Sequence, residues 1–287
     1  MKTFLDCIPC FMRQALRAGR IATDDEQKIK KILDEVGASI RNIPMENTPP
    51  ETGALIYRKI YEVTGKRDPF QLIKEQNIKH AMHLYPALKQ RVKDSDDSLL
   101  TAIRLAVAGN VIDLGVDKEF NIEEDIETIL LQDFAVFDFE LFKNALRKAD
   151  SVLYIGDNSG EAVFDKILIE ELNKPVTFVV RDIPVINDIT MHEAKEIRLN
   201  EVATLVSSGT TAPGTILSSC NEDFIDMFNK ADMVISKGQG NYEGLSGVDR
   251  SVFFLLKAKC SVIAGNVGVE ENDIVLKSIN HRGDAHD

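Results

Sequence analysis

The chain has 287 residues, of which 44% are hydrophobic and 28% charged, with a net charge of −12 at pH 7. This length can bury a sizeable core in one large α/β domain or in two domains. The acidic balance argues against a general nucleic-acid binder, because phosphate backbones require a basic surface. It still allows a small anionic substrate, because a bound divalent cation reverses the local field.

The N-terminal residues lack the apolar core of a signal peptide, and no run in the sequence is long enough to span a bilayer. The sequence therefore predicts a cytoplasmic protein with no membrane partner. Cys7 and Cys10 form a Cys-x-x-Cys motif that opens a predicted helix. Burial or packing is favoured for this motif over zinc or redox chemistry, because it has no partner motif at zinc-ligand spacing and follows no strand.

The chain changes its pattern near residue 150. Residues 1–150 show helical spacing of apolar residues almost throughout and are predicted to form a helical subdomain. Residues 151–287 alternate between strand and helix patterns, which predicts an α/β domain with a mainly parallel sheet. The predicted strands are 151–156, 176–181, 202–207, 232–236 and 261–265, and the main predicted helices are 159–173, 221–230 and 250–258. A cluster of phenylalanines just before the boundary, at Phe134, Phe137, Phe139 and Phe142, predicts a core seam between the two parts.

The most informative junction follows the first strand of the α/β region. An apolar run ends at Gly156, Asp157 and Asn158, and helical periodicity begins at once. In an open α/β sheet, ligands bind at the carboxyl ends of the strands. Two adjacent oxygen-bearing side chains beside a helix N-terminus suit a hard cation that in turn holds a phosphate.

A second pair, Asn187 and Asp188, follows the next predicted strand. Alone, this pair is more often a helix cap and turn. Beside Asp157 and Asn158 the balance changes, because adjacent parallel strands lie roughly 4.8 Å apart and their end residues converge. Asp157, Asn158 and Asp188 would supply three hard oxygens, which suit Mg²⁺ or Mn²⁺ better than zinc.

A third segment follows strand 232–236 and contains Lys237, Gly238 and Gly240. A glycine-rich turn lets backbone N–H groups approach an anion, and Lys237 would act as a point charge on a phosphoryl oxygen. The segment is not a Walker A motif, because it lacks the Gly-Lys-Ser/Thr ending. An ordinary glycine turn is the alternative.

Two further segments give weaker signals, and each of them allows two interpretations. The turn at 207–214 contains Thr210, which either donates to the same anion or only caps the turn. Asn110 and Asp113 interrupt an otherwise apolar helix. Either these side chains are buried and hydrogen-bonded within the protein at a helix end, or they lie at the tip of a helix that points into the cleft.

Five motifs taken together carry a family resemblance. In chain order they are Cys7-x-x-Cys10, Gly109-Asn110-x-x-Asp113, Asp157-Asn158-x-Gly160-Glu161, Asn187-Asp188-x-Thr190 and Lys237-Gly238-x-Gly240-Asn241. This set resembles the damage-control phosphatase family, also known as domain of unknown function 89, and is most similar to its stand-alone archaeal-type members. The similarity extends from Cys7 to about Gly268.

The resemblance implies a metal-dependent phosphatase of small phosphometabolites, with a three-layer α/β/α Rossmann-like core and a helical N-terminal part. It places Mn²⁺ or Mg²⁺, or alternatively Co²⁺ or Ni²⁺, on Asp157, Asn158 and Asp188, and the phosphate on Lys237. One departure is Glu193, where an aspartate is expected. The full set of expected substrate-binding residues is Asn110, Glu161, Asn187, Thr210, Gly238, Gly240 and Asn241.

Under this hypothesis the catalytic residues are Asp157 and Lys237, and the nucleophile is either a metal-activated water or Asp157 itself. An S-adenosylmethionine-dependent methyltransferase is the first alternative, because the segment from Val152 to Gly160 superficially resembles the first glycine loop of that fold. A non-catalytic binder of phosphometabolites is the second, because it would need the same anion-binding groups.

Overall fold

A computed structural model of the protein describes residues 1–109 and 130–280, so Asn110 and Asp113 lie outside the described residues. Residues 1–109 contain five helices, whose starts and ends follow local sequence signals. Asp25 caps the second helix by accepting hydrogen bonds from two backbone N–H groups, and Thr48 and Glu51 form a capping box on the third, which ends at left-handed Gly65. The helices are α1 (Cys7–Ala22), α2 (Glu26–Ile40), α3 (Pro49–Thr64), α4 (Gln71–Lys93) and α5 (Ser98–Gly109).

Seven strands of the described residues form one sheet, in the spatial order β1-β7-β6-β5-β2-β3-β4. Neighbouring strands are parallel except for β6 and β7, which are antiparallel. The strands are β1 (Phe134–Phe137), β2 (Val152–Ile155), β3 (Val176–Val180), β4 (Thr204–Ser207), β5 (Met233–Lys237), β6 (Val252–Lys257) and β7 (Ile274–Ile279).

Helices cover both faces of this sheet. Alternate residues of β2 point to opposite faces, and they belong to two different hydrophobic clusters: Val152 and Tyr154 to one, Leu153 and Ile155 to the other. The predicted α/β class, with a mainly parallel sheet and a helical N-terminal part, is confirmed. The covering helices are α6 (Phe139–Lys148), α7 (Glu161–Leu172), α8 (Met191–Glu196), α9 (Glu222–Lys230), α10 (Gly238–Leu245) and α11 (Ser261–Val267), with two short 3₁₀ helices at Leu199–Glu201 and Leu217–Ser219.

Three local predictions are wrong. The range 250–258, predicted as a helix, contains β6, whose residues from Val252 to Leu256 are all buried. A short, continuous apolar run fits a strand buried on both faces as well as it fits a helix, so periodicity alone did not separate the two. The range 261–265, predicted as a strand, lies in α11, which ends at left-handed Gly268. The glycine-rich turn after Lys237 is the first turn of α10.

The sheet also takes a strand from the predicted helical part. Phe134 and Phe137 lie in the edge strand β1, while Phe139 and Phe142 lie in α6. Phe137 is 45% exposed, so the aromatic cluster is only partly a core seam. Across the described residues, no helix is long and apolar enough to cross a membrane.

Candidate active site

The loops after β2 and β3 are joined into one unit at the carboxyl edge of the sheet. An isolated antiparallel bridge links Asn158 to Asp188. The backbone N–H of Ser159 donates to the carbonyl of Asn187 at 2.8 Å, and the Ser159 hydroxyl donates to the same carbonyl at 3.0 Å. Asp157, Asn158 and Asp188 therefore meet at one place, which is the convergence that their positions after two neighbouring strands predict.

These three residues line a cleft of about 710 Å³. Its other walls come from α1, from the start of α3 and from α10 and α11, so that the helical N-terminal part closes one side of the site. Ligand pockets for small molecules typically have volumes of roughly 300–1,000 Å³. The cleft is therefore large enough for a small phosphorylated metabolite.

The carboxylates in the cleft repel one another. Burial raises the pKa of Asp157 well above its ordinary value, and the nearby Asp188 and Glu161 raise it further, against the opposing effects of Arg181 and Lys259. Buried carboxylates that lie close together favour a bound cation, which compensates their charge.

Arg181 contacts the candidate metal ligands, although none of the sequence motifs includes it. It is 1% exposed, and its Nε donates to Asp188 Oδ2 at 2.7 Å while its Nη2 lies 3.8 Å from Asp157 Oδ1. A single guanidinium thus faces both candidate ligand carboxylates. Its signal in the sequence is its place directly after β3, where a charged residue at a buried strand end has to find a partner.

Lys237 has a contact set different from the expected phosphoryl contact. Its side chain is fully buried, and its ammonium group donates to Glu161 Oε1 at 2.5 Å, to Asp165 Oδ1 at 2.6 Å and to the Ala106 carbonyl at 2.9 Å. An ammonium group has three donors, and all three are directed at protein acceptors. A direct phosphoryl contact would require Lys237 to leave one of them.

Glu161 connects Lys237 to the metal-ligand candidates. Its Oε2 accepts hydrogen bonds from the backbone N–H of Asn158 at 3.4 Å and from Asn158 Nδ2 at 3.2 Å. A chain of hydrogen bonds therefore runs from Lys237 through Glu161 to Asn158 at the cleft.

Asp165 is a second residue that contacts the site residues but belongs to none of the sequence motifs. It is fully buried, and Tyr154 Oη donates to its Oδ1 at 2.7 Å. Burial raises the pKa of Asp165 to about 7, although the Lys237 ammonium acts in the opposite direction. Its signal is a carboxylate one helical turn after Glu161, inside the apolar run of α7.

Asn241 holds three segments of the site together. Its Nδ2 donates to the carbonyls of Gly156 and Lys237, at 2.9 and 2.8 Å, and its Oδ1 accepts from Arg181 Nη2 and from the Thr215 backbone N–H, both at 2.9 Å. It is fully buried. In the structure the Asn241 amide contacts other protein groups, whereas the sequence predicts that it contacts the substrate.

The remaining expected site residues divide into two groups. Asn187 and Gly240 line the cleft. Thr210 is fully buried, and its hydroxyl accepts a hydrogen bond from the Ala212 backbone N–H at 3.4 Å. This contact agrees with the alternative in which Thr210 stabilises its own turn.

Glu193, the departure from the family pattern, caps α8 and joins a buried ion pair. Its Oε2 accepts from the Thr190 backbone N–H at 2.9 Å, and its Oε1 accepts from Lys74 Nζ at 2.5 Å. Lys74 also binds Asp68 at 2.6 Å. Glu193 therefore anchors the loop that carries Asp188 to α4.

Gly238 is the glycine on which the geometry of Asp157 depends. Its φ is +75°, and a Cβ on it would lie 1.9 Å from Asp157 Oδ2. We expect Gly238→Ala to destabilise the protein by about 1–2 kcal/mol, because a left-handed conformation costs an L-residue that much. Catalytic activity should fall on the order of a hundredfold, because the displaced Asp157 carboxylate no longer lies in line with the other groups of the cleft.

The control for this prediction is Gly247→Ala, since Gly247 follows α10 and a Cβ on it would meet nothing within 4 Å. Urea unfolding and an activity assay on both variants test the prediction. Equal activity of the two variants would contradict it.

Glu243 predicts a measurable pH dependence of stability. It is half-buried in the cleft wall, and burial raises its pKa to about 7. The folded-state pKa thus exceeds the unfolded value of about 4.3, so this group lowers the free energy of unfolding as the pH rises from about 4 to 7. We expect Glu243→Gln to be about 1–2 kcal/mol more stable than the wild type at pH 8 and nearly equal to it at pH 4.5. Urea unfolding at both pH values measures this, and a difference independent of pH would contradict it.

The mainly parallel sheet, its covering helices and the cleft at the strand ends make this an α/β protein with a candidate site at the carboxyl edge of the sheet. The family model described as damage-control phosphatase ARMT1-like domain matches residues 3–275. The chain belongs to this family, as the motifs indicate.

Two archaeal relatives and one solved structure extend this finding. A damage-control phosphatase of Pyrococcus horikoshii is 34% identical over 282 residues, covering 96% of this chain and 97% of the relative. A damage-control phosphatase of Archaeoglobus fulgidus is 30% identical over 283 residues, covering 95% and 98%. The crystal structure of a DUF89 family protein from Pyrococcus horikoshii has a TM-score of 0.89 at 32% identity, covering 96% of this chain and 98% of that one.

Proposed function

We propose that this protein is a metal-dependent phosphatase that hydrolyses phosphomonoesters of small metabolites. The observation that carries the proposal is the convergence of Asp157, Asn158 and Asp188 on one cleft, in a chain of the damage-control phosphatase family. The cleft combines oxygen ligands for a cation with room for a small substrate.

The donor set fits a hard divalent cation. Two carboxylates and one carboxamide are the ligand types that Mg²⁺ and Mn²⁺ prefer, and such ions keep open positions for water and substrate. Over residues 1–109 and 130–280, no group of three or more His, Cys, Asp or Glu side chains is arranged to hold a metal. A site with two carboxylates and one carboxamide supplies few protein ligands, so water and phosphate oxygens would fill the remaining coordination positions of the cation. When bound, the cation would polarise the phosphoryl group and compensate its charge.

Arg181 holds the two carboxylates in place from the side of the sheet. Its hydrogen bond to Asp188 and its approach to Asp157 fix both side chains before any ligand arrives. Asn241 accepts a hydrogen bond from the same guanidinium and fixes its orientation. Preorganised charges of this kind are the main source of catalysis in phosphoryl transfer.

Glu161 and Lys237 orient Asn158. The carboxylate of Glu161 receives the Asn158 amide on one oxygen and the Lys237 ammonium on the other. The Lys237 ammonium lies 2.5 Å from Glu161 Oε1, so the two buried side chains form an ion pair. In this proposal Lys237 acts on the substrate indirectly, through Glu161 and Asn158.

Family membership favours the phosphatase over the two alternatives. For the methyltransferase, Asp157 and Asn158 occupy the strand end where small residues would have to let the cofactor pass. For a binder without catalysis, the crowded carboxylates would disfavour a phosphate ester unless a cation accompanies it.

Phosphate release from a panel of phosphomonoesters tests the proposal. The protein is stripped of metal and then given Mg²⁺, Mn²⁺, Co²⁺ or Ni²⁺ in turn. We expect release that depends on the added metal and stops on chelation. Release unaffected by chelation, or no release with any metal, would contradict the proposal.

A further inference from the structure

A second pocket, of about 490 Å³, opens beside the cleft. It lies between α3, the turn from α3 to α4, and the loop 183–186 that leads to Asp188. Three aromatic side chains line it: Tyr57, Tyr61 and Phe70. Tyr61 is 44% exposed although it is large and partly apolar, so it offers an aromatic surface that a ligand could cover.

A smaller hollow of about 240 Å³ joins this aromatic pocket to the cleft. It shares Tyr57 and Phe70 with the aromatic pocket, and it shares Gln14 and Asn187 with the cleft. Asn187 is the neighbour of Asp188 in the chain. The three spaces are therefore adjacent, so a ligand whose phosphate lies at Asp188 would have the aromatic pocket on one side of it.

Ile186 lines the aromatic pocket, the smaller hollow and the cleft. Its φ is +47°, a left-handed conformation that is a genuine outlier for a β-branched residue. Its side chain is half-buried against the hydrophobic cluster of the N-terminal helices. Strained backbone persists where the surrounding packing enforces it, and it is concentrated at functional sites.

The aromatic pocket is basic, in a chain whose net charge is −12. Lys66 and Arg67 line it, together with Arg58, whose Nε lies 3.8 Å from Glu62 Oε1. The acidic Asp68 lines it as well, and this carboxylate lies 2.6 Å from the buried ammonium of Lys74, which Asp68 shares with Glu193. The smaller hollow adds Arg17. This concentration of cations is complementary to an anionic ligand.

We propose that the aromatic pocket binds the leaving group of the substrate, and that this leaving group carries a flat ring system together with a second negatively charged group. The inference rests on the proposed phosphatase function. Tyr57, Tyr61 and Phe70 offer faces and edges to a ring, and Lys66 and Arg67 offer charge to an anion. A simple sugar phosphate would use neither.

Four phosphate esters separate the two features. Adenosine 3′,5′-bisphosphate has a ring and a second phosphate, adenosine 5′-phosphate has the ring alone, fructose 1,6-bisphosphate has the second phosphate alone, and fructose 1-phosphate has neither. We expect kcat/KM to be highest for adenosine 3′,5′-bisphosphate and lowest for fructose 1-phosphate. A value for adenosine 3′,5′-bisphosphate no higher than that for fructose 1-phosphate would overturn the inference.

The double variant Lys66→Ala/Arg67→Ala tests the pocket itself, because both side chains are exposed and their loss should leave the fold intact. We expect it to lower kcat/KM for adenosine 3′,5′-bisphosphate about fivefold relative to that for fructose 1-phosphate, since exposed charge pairs contribute modestly. The matched control is Lys28→Ala/Lys31→Ala, which removes the same charge from exposed positions of α2. Equal effects of the two double variants would overturn the inference.

Equilibrium binding separates this inference from the proposed function. Calorimetry in the presence of Mn²⁺, with phosphate release followed in parallel, measures the binding of adenosine 3′,5′-bisphosphate. If no ester is hydrolysed, the proposed function fails, and binding that Lys66→Ala/Arg67→Ala weakens about fivefold while the control keeps it would still support the pocket. Absent binding, or binding that both double variants weaken equally, would overturn the pocket as well.

Discussion

Asp157→Asn is expected to reduce metal-dependent phosphate release on the order of a thousandfold. Asp157 is 8% exposed at the cleft, and its carboxylate is one of the two that would hold the cation. The substitution keeps the shape of the side chain and removes its charge. Catalysis of phosphoryl transfer depends mainly on positioning and charge compensation, so the loss of one charged ligand has a large effect.

Asp182→Asn is the matched control for this prediction. Asp182 follows β3 only one residue after Arg181, but it is exposed and its carboxylate accepts from the Ser207 hydroxyl at 3.0 Å. We expect this variant to retain nearly full activity. The rate of phosphate release by both variants, measured at saturating metal, tests this prediction. Near-normal activity of Asp157→Asn would contradict the assigned site.

Lys237→Met should have the largest effect on stability. It leaves Glu161 and Asp165 buried and facing each other without their shared cation. Removing one partner from a buried ion pair costs about 3–5 kcal/mol in the free energy of unfolding, because the remaining charge is uncompensated. Urea unfolding measures this loss. A loss below about 1 kcal/mol would show that the buried ion pairs contribute little.

The triple variant Lys237→Met/Glu161→Gln/Asp165→Asn separates stability from activity. With no charge left in the network, most of the lost stability should return, since neutral replacements of buried ion pairs are often tolerated. Activity should remain low, because Asn158 has lost the charged acceptor that orients it. Recovery of both properties would show that the charges of this network do not position the site.

The convergence of Asp157 and Asp188 could be predicted because its signal is local. Asp157 and Asp188 each follow a short apolar strand, and β2 and β3 turn out to be neighbours with paired registers. Strand ends in a parallel sheet meet at one edge, so sequence position alone brings these side chains together.

The direction of Lys237 could not be predicted in the same way. Its partners Glu161 and Asp165 lie on the helix that follows β2, and the Ala106 carbonyl belongs to α5. These contacts depend on how α5 and α7 pack over the sheet, which no local pattern of the sequence records. A lysine at a strand end therefore looks like a phosphate ligand until the packing is known.

Asn241 illustrates the same limit. Its segment predicts a phosphate-binding turn, but α10 begins at Gly238 and directs the Asn241 amide inward. The glycines allow close approach of protein segments: a Cβ on Gly240 would lie 2.2 Å from the Pro213 carbonyl oxygen. A glycine-rich sequence indicates close contact but not the identity of the partner.

Anomalous diffraction from crystals soaked in Mn²⁺ tests the central claim most directly, because it locates the ion without relying on turnover. The account predicts a strong anomalous peak bounded by the side-chain oxygens of Asp157, Asn158 and Asp188. The same soak of Asp157→Asn crystals should weaken or remove that peak. A peak elsewhere in the molecule, with none at these three residues, would contradict the account.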